Sequence, residues 1–462
     1  MIFFWTDILF FILLAMLAAS IVRARSKEHL RRPWRKVVRS HSAMVSLTVL
    51  VFYLFFAVLD SIHFHPADKQ NGEGQFKTEA MSLLDWWASP LRQRTEKTYS
   101  APFAAYAYAR ENVRGEDGVS RWAYPRLQFG GKHLDNPEQD KFGDILLTSI
   151  KGLAEGFLAW SVLALAFVTV NTRSSKISFG ESFQAIATGK TEIPNRAILL
   201  TFLALLLASF ALGELSLKYH VFGTDKVGGD VFLQSLKSIR TGLLIGTLTT
   251  FITLPLALAL GMLAGYFRGW ADDVIQYIYT TLNSIPDVLL IAASMLLMQA
   301  YMARHEDEFA SLALRADFRM LFLCMILGLT RWTGLCRLLR AETLKLREME
   351  YVQAARALGV PHGTILLRHI LPNVFHLVLI SVALDFSSLV LAEAVLAYVN
   401  IGVDPTTESW GNMINSARLE MAREPVVWWS LSAAFVFMFA LVLPANLFAD
   451  AVRDAFDPRR VE

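Results

Sequence analysis

Apolar residues along this chain gather into nine runs, near 2–22, 42–62, 151–170, 197–217, 239–266, 275–298, 318–338, 374–400 and 426–448. Each is close to the ~20 residues that cross a bilayer's hydrocarbon core as a helix. The pattern therefore predicts nine membrane-spanning helices. Pro255 and Pro286 fall inside two of the runs and predict bends there. The first run has no basic residues before it. A strongly basic segment follows it, with Arg23, Arg25, Lys27, Arg31, Arg32, Arg35, Lys36 and Arg39. A secretory signal has the opposite flanks, so the run reads as a retained helix with its N-terminus outside.

Short loops rich in Lys and Arg stay in the cytoplasm. With 23–41 inside, segment 63–150 lies outside, and 171–196 inside with Arg173, Lys176, Lys190 and Arg196. Loop 218–238 is then outside, and the Arg-rich segment 339–373 and the tail with Arg453, Arg459 and Arg460 are inside. Segment 63–150 carries Trp86, Trp87, Tyr99, Tyr106, Tyr108, Trp122 and Tyr124, more aromatic residues than a disordered linker holds. A small folded extracytoplasmic cap and an irregular loop both remain open for it.

Composition agrees with a membrane protein: 54% of residues are hydrophobic and 18% charged, against about 25% charged in soluble domains. The net charge of +3 is small, and the basic residues sit at the ends of apolar runs, so they set topology and predict no nucleic-acid partner. Cys324 and Cys336 are twelve positions apart in one helical run. That is ~18 Å along a helix, too far for a disulfide, and there is no Cys metal site. His63 and His65 could hold a metal, but no further ligands are nearby and interfacial packing is the better reading. Gly189-Lys190-Thr191 lacks the glycine five positions earlier that a phosphate-binding loop needs, because position 184 is Gln. The chain is expected to be no enzyme, with no catalytic residues and no cofactor of its own.

Ionisable residues inside spans are costly and often functional. Asp385 and Glu393 are eight positions apart in the eighth run, on roughly one helix face. A transport pathway and a pairing with a basic residue of a partner both remain open for them. Arg240 and Arg337 lie near span ends and are expected to snorkel.

The most informative stretch follows the seventh run. From Arg340 to Gly359 it is dominated by good helix formers. Gly359 can take the left-handed cap and Pro361 blocks continuation, so a helix ends there. A second short helical piece, His362 to His369, closes on Ile370-Leu371-Pro372-Asn373, where the chain re-enters the membrane. The result is a cytoplasmic helix–turn–helix. Its small residues Ala354 and Ala355 would let another backbone approach. On helical pattern alone, a docking surface and an amphipathic loop on the bilayer are equally open.

This stretch resembles the E-A-A loop of binding-protein-dependent ABC importer permeases: Glu-Ala-Ala, three residues, Gly, nine residues, then Ile-x-Leu-Pro. Here Gln353-Ala354-Ala355, Gly359 and His369-Ile370-Leu371-Pro372 keep the spacing, with Gln353 for Glu and His369 for Ile. Arg368 to Asn373 match the Arg-His-Ile-Leu-Pro-Asn of the dipeptide, oligopeptide and microcin-type peptide branch. The resemblance covers roughly 197–462. It includes Phe222-Gly223-Thr224-Asp225, Gly228-Gly229-Asp230-Val231 (Gly for Arg), Ala264-Gly265-Tyr266 with Gly269 and Asp272, and Arg347-Glu348 with Tyr351-Val352. It continues through Ser409-Trp410-Gly411 and Val452-Arg453-Asp454-Ala455-Phe456-Asp457-Pro458. The family's Leu-Ser-Phe-Leu-Gly-Leu-Gly departs most, appearing as Leu396-Ala397-Tyr398-Val399-Asn400-Ile401-Gly402.

The resemblance implies an all-α, polytopic protein of the bacterial inner membrane. Its type I importer core, 197–462, would have about six helices, and an N-terminal extension, 1–196, about three more. It implies an ATP-driven permease for peptides or similar small solutes, with ATP and Mg in separate ATPase subunits. The other partners would be a second permease subunit forming a heterodimer, an extracytoplasmic solute-binding protein, and membrane lipid. Coupling would fall on Tyr351, Gln353, Ala354, Ala355, Gly359, Pro361, His369, Leu371 and Pro372. Uptake of nickel or another solute by the same architecture, and a scaffold that has lost transport, are the alternatives. An ion-driven carrier would have no use for the docking loop.

Overall fold

The computed structural model describes residues 4–26, 28–65, 80–114, 120–175, 178–309 and 311–456. The expectations that rest on Lys27, Lys176, Asp457, Pro458, Arg459 and Arg460 lie outside them. In chain order the helices are α1 (Trp5–Ser26), α2 (Glu28–Arg39), α3 (His41–Ser61), α4 (Leu83–Trp87), α5 (Ser89–Arg92), α6 (Pro137–Ser175), α7 (Phe179–Thr188) and α8 (Asn195–Ser216). They continue with α9 (Val231–Phe267), α10 (Trp270–Ser284), α11 (Asp287–Arg304), α12 (Leu312–Arg347), α13 (Glu350–Ala357) and α14 (His362–Thr364). After a π-helical stretch, Ile365–Ile370, come α15 (Leu371–Tyr398), α16 (Trp410–Glu420) and α17 (Trp429–Phe456). Two antiparallel ribbons complete the list: β1 (His63–Phe64) with β2 (Met81–Ser82), and β3 (Glu111–Arg114) with β4 (Ser120–Ala123).

Among the described residues, eight helical segments are long and apolar enough to cross a membrane. Two predicted spans differ. The run at 275–298 is not one helix: Ile285 is extended (φ −94°, ψ 129°) and α11 begins after Pro286. A residue before proline is pushed from helical geometry, and proline has no N–H to continue the ladder. Pro255, by contrast, sits inside an unbroken α9. The run at 318–338 lies in α12, which is helical over 36 residues and is not among the eight. Its charges are tolerated because they are paired and covered. Asp317 is 5% exposed and accepts hydrogen bonds from the Trp5 N–H (2.9 Å) and the Thr6 hydroxyl. Arg319 donates to the Gly402 carbonyl at 3.2 Å and lies 3.8 Å from Asp404.

The chain divides into two compact units, the described residues of 37–241 with 408–444, and those of 3–36, 242–407 and 445–462. In the first, α6 lies along α8. Added Cβ atoms at Gly152 and Gly156 would stand 2.8 Å and 3.1 Å from the α8 backbone, so these glycines set the contact distance. The described part of 63–136 is a folded layer bonded to loop 218–230. The Thr224 hydroxyl accepts from the Ser100 N–H (2.6 Å) and donates to the Thr98 carbonyl (2.9 Å), and the Trp429 indole donates to the Thr224 carbonyl (2.8 Å). Gly228 has φ +79°, and a Cβ there would sit 1.8 Å from the Glu96 carbonyl, so only glycine lets the two backbones meet. Beneath this contact His220 is 3% exposed. Its Nδ1 is 2.8 Å from Asp230 and its Nε2 3.5 Å from Glu96.

Candidate functional site: the helical segment between α12 and α15

Segment 340–373 is built onto the second unit by packing and charge. The C-terminal part of α9 carries Gly261 and Gly265, four apart, facing α12. A Cβ on Gly261 would stand 2.8 Å from the Cys336 carbonyl, and one on Gly265 2.6 Å from Thr343 Cβ. Such small-xxx-small pairs let membrane helices pack backbone to backbone. Arg340 grips Asp272 of α10 with two parallel bonds, 2.5 and 2.7 Å. The hydrogen bond and charge of Arg340 hold the Asp272 carboxyl below its ordinary range against the opposing effect of burial. We expect Gly265→Leu to force α9 and α12 apart, costing about 1–3 kcal/mol or more. Thermal unfolding of the purified chain reads that loss.

The short helix α13 is amphipathic in use. Val352 (1% exposed) and Ala355 (8%) insert into the cluster formed with Ile365, Ile370, Val374 and Leu339. Tyr351, Gln353 and Ala354 are exposed, and Leu358 is 83% exposed. Ala354 and Ala355 thus face opposite ways. The helix ends where Gly359 takes φ +73°. There the Val360 N–H bonds back to the Ala355 carbonyl and the Gly359 N–H to Arg356, the pattern of a left-handed C-cap. Pro361 then opens α14.

The second helical piece does not close at His369. The chain runs through the π-helical stretch directly into α15, with the Leu371 N–H bonded to the Leu366 carbonyl five residues back. Pro372 stands at the start of α15. Its ring would crowd the Arg368 carbonyl and it cannot donate to it, so the widened turn before it relieves both. Asn373 ties the junction, its amide donating to Tyr351 Oη (3.1 Å) and to the His369 carbonyl (2.6 Å). Gln353 donates to the Glu348 carbonyl at 3.1 Å.

Of the in-span acids, Asp385 is exposed into a cavity, whereas Glu393 is buried at 3% exposure. Several contributors escaped the reading of motifs. His362 meets Tyr266 Oη at 2.8 Å, and Arg347 donates to the Tyr266 carbonyl at 2.7 Å, so the end of α9 is fastened to the segment. Arg331, inside the run at 318–338, lines the same cavity as Asp385. An arginine within an apolar run is itself the signal that could have found it.

The family described as the binding-protein-dependent transport system inner membrane component matches residues 257–462. The glutathione transport system permease protein GsiD of Pectobacterium atrosepticum is 32% identical over 240 residues, 52% of this chain and 73% of that protein. The oligopeptide transport system permease protein OppC of Mycobacterium bovis is 30% identical over 239 residues, 52% of this chain and 76% of that one. With eight apolar helices of membrane-crossing length, this makes the chain a multi-pass inner-membrane protein. It belongs to the binding-protein-dependent transport system inner membrane component family and is a permease subunit of an ABC importer, not its ATPase.

Proposed function

We propose that the chain carries peptides or peptide-like solutes across the inner membrane. An extracytoplasmic binding protein delivers the solute, and a second, different permease subunit pairs with this chain. ATP and Mg are held and used in separate ATPase subunits, and residues 197–462 form the transport core. The solute class follows the glutathione and oligopeptide relatives. The coupling reading rests on one observation above all: α13 is anchored by Val352 and Ala355 while Gln353, Ala354 and Leu358 stay open. An ATPase closing on ATP would push that open face. Arg340–Asp272, His362–Tyr266 and the π-helical entry to α15 would pass the displacement to α9, α10, α12 and α15. Gly359, Pro361, His369, Leu371 and Pro372 would keep the lever's bend fixed.

Orientation can be tested directly, because Cys324 and Cys336 are both fully buried. A cysteine at Ala354 should react with a membrane-impermeant maleimide in inside-out vesicles and not in intact spheroplasts. It should also be protected when the ATPase subunits are present. Labelling from the outer face would end the coupling assignment.

A further inference from the structure

Three ionisable side chains converge on one cavity of the second unit, a space of 330 Å³. Arg331 comes from α12, Asp385 from α15 and Asp287 from the first residue of α11, with Asn283, Thr250 and Thr333 beside them. The volume falls within the range of roughly 300–1,000 Å³ of small-molecule sites. Charge in a membrane span is expensive and persists where it faces water, a partner group or cargo. Among the described residues, no ion pair joins Arg331 to either aspartate. Arg331 instead donates to the Ser388 hydroxyl at 3.1 Å. Thr250 donates to its own helix at the Gly246 carbonyl (2.7 Å), so its hydroxyl offers only acceptor lone pairs outward. Thr333 donates to Asn283 at 2.9 Å, fixing that amide's orientation. Both signs of charge thus stand in one polar recess, held apart, with hydroxyl and amide groups between.

We propose that this recess recognises the two termini of a short zwitterionic peptide, Asp385 and Asp287 meeting the ammonium group and Arg331 the carboxylate. A guanidinium suits a carboxylate because its donors form two parallel bonds. The placement also links recognition to the motor. Arg331 lies 16 residues before the end of α12, about 24 Å along the helix, and Asp385 lies 14 residues into α15, about 21 Å from its start. These two helices enter and leave the coupling segment. Any relative shift of α12 and α15 changes the spacing of the opposite charges, so a peptide held in one state is released in another.

The inference rests on the peptide reading above, and two measurements keep them separable. In the assembled importer, purified without the binding protein, tritiated trialanine binding is competed by unlabelled trialanine, its N-acetyl form and its C-amide. Each blocked form should compete about tenfold less well. Asp385→Asn should abolish the preference for the free amine and keep that for the free carboxylate. Arg331→Gln should do the reverse, and Asp385→Glu should restore the wild-type pattern. Wild-type importer that does not distinguish the blocked peptides, or variants that keep both preferences, would overturn the proposal. Loss of binding together with loss of thermal stability would also count against it, since that marks a structural role. Failure of the wild-type importer with its binding protein to take up trialanine in proteoliposomes would instead remove the peptide reading itself.

Discussion

Leu358→Asp is expected to cut ATP-driven uptake at least thirtyfold while leaving the fold of the chain intact. Leu358 closes α13 with 83% of its surface open, an apolar side chain on a short helix whose other face is committed to the core. Central apolar anchors at protein interfaces are worth about 2 kcal/mol or more when truncated, and 2 kcal/mol is about thirtyfold in an equilibrium constant. A carboxylate placed there adds desolvation cost on top. Because Leu358 contributes little to the chain's own packing, unfolding should change by about 0.5 kcal/mol or less. Gly359→Val probes the same contact through geometry. A Cβ at that position meets nothing within 4 Å, so the cost comes only from φ +73°, about 1–2 kcal/mol for a side-chain-bearing residue. Its relief would swing the turn at Val360 and Pro361. Val352→Asp, in the buried face, is the contrast, since it should lower stability first. Uptake in proteoliposomes, co-purification with the ATPase and thermal unfolding together check the set. An L358D variant that transports at the wild-type rate would refute the docking role.

The second large effect concerns the layer of the first unit formed by the described part of 63–136 and loop 218–230. Burial works against a charged His220, but hydrogen bonds and charge from Asp230 and Glu96 outweigh it and push the imidazole up to about 9. Burial likewise opposes a charged Glu96. The bonds from His220 and from the N–H groups of Gln128, Phe129 and Gly130 outweigh it and bring that carboxyl down to about 2. The signs follow from which state binds more protons. Between about 6.5 and 9 the native histidine holds a proton that the unfolded one has lost, so stability falls as pH rises through this window. Between about 4.5 and 2 the unfolded Glu96 holds the extra proton, so stability falls as pH drops. The contribution of the pair is complete between about pH 4.5 and 6.5. His220→Gln leaves two buried carboxylates without their cation, a loss of about 3–5 kcal/mol, or roughly 6–20 °C in a unit of this size. Thermal unfolding from pH 4 to 9.5 should show an alkaline decline in the wild type that the variant lacks. Equal alkaline slopes in the two proteins would show that His220 is not the group responsible.

This clamp also shows that the N-terminal half is no loose attachment. Glu96, Ser100 and Thr98 come from that half, and His220, Thr224 and Asp230 from the loop that resembles the peptide permeases. The Gly228 contact, 1.8 Å from the Glu96 carbonyl to a Cβ built there, leaves no room for another residue.

Local chemistry was legible in the sequence wherever a short stretch of chain decides the outcome. Runs of about twenty apolar residues favour helices, because in hydrocarbon a single segment satisfies its own backbone only as a helix. The left-handed stop at Gly359 followed from the one residue that adopts it without cost, and the spacing of Ala354, Ala355, Gly359 and Pro372 carried the resemblance. What the sequence left open are the choices made by distant partners. Hydropathy does not say what covers the charges along a helix, and Asp317 and Arg319 find their partners at Trp5, Thr6, Gly402 and Asp404. Helical spacing placed Asp385 and Glu393 on roughly one face, yet packing buries one and opens the other. Ala354 and Ala355 are adjacent and alike, and only the cluster under α13 decides which faces inward. The physical reason is common to all three. Periodicity sets the direction of a side chain around its own helix axis, while burial and pairing are energies of contact with residues outside that helix.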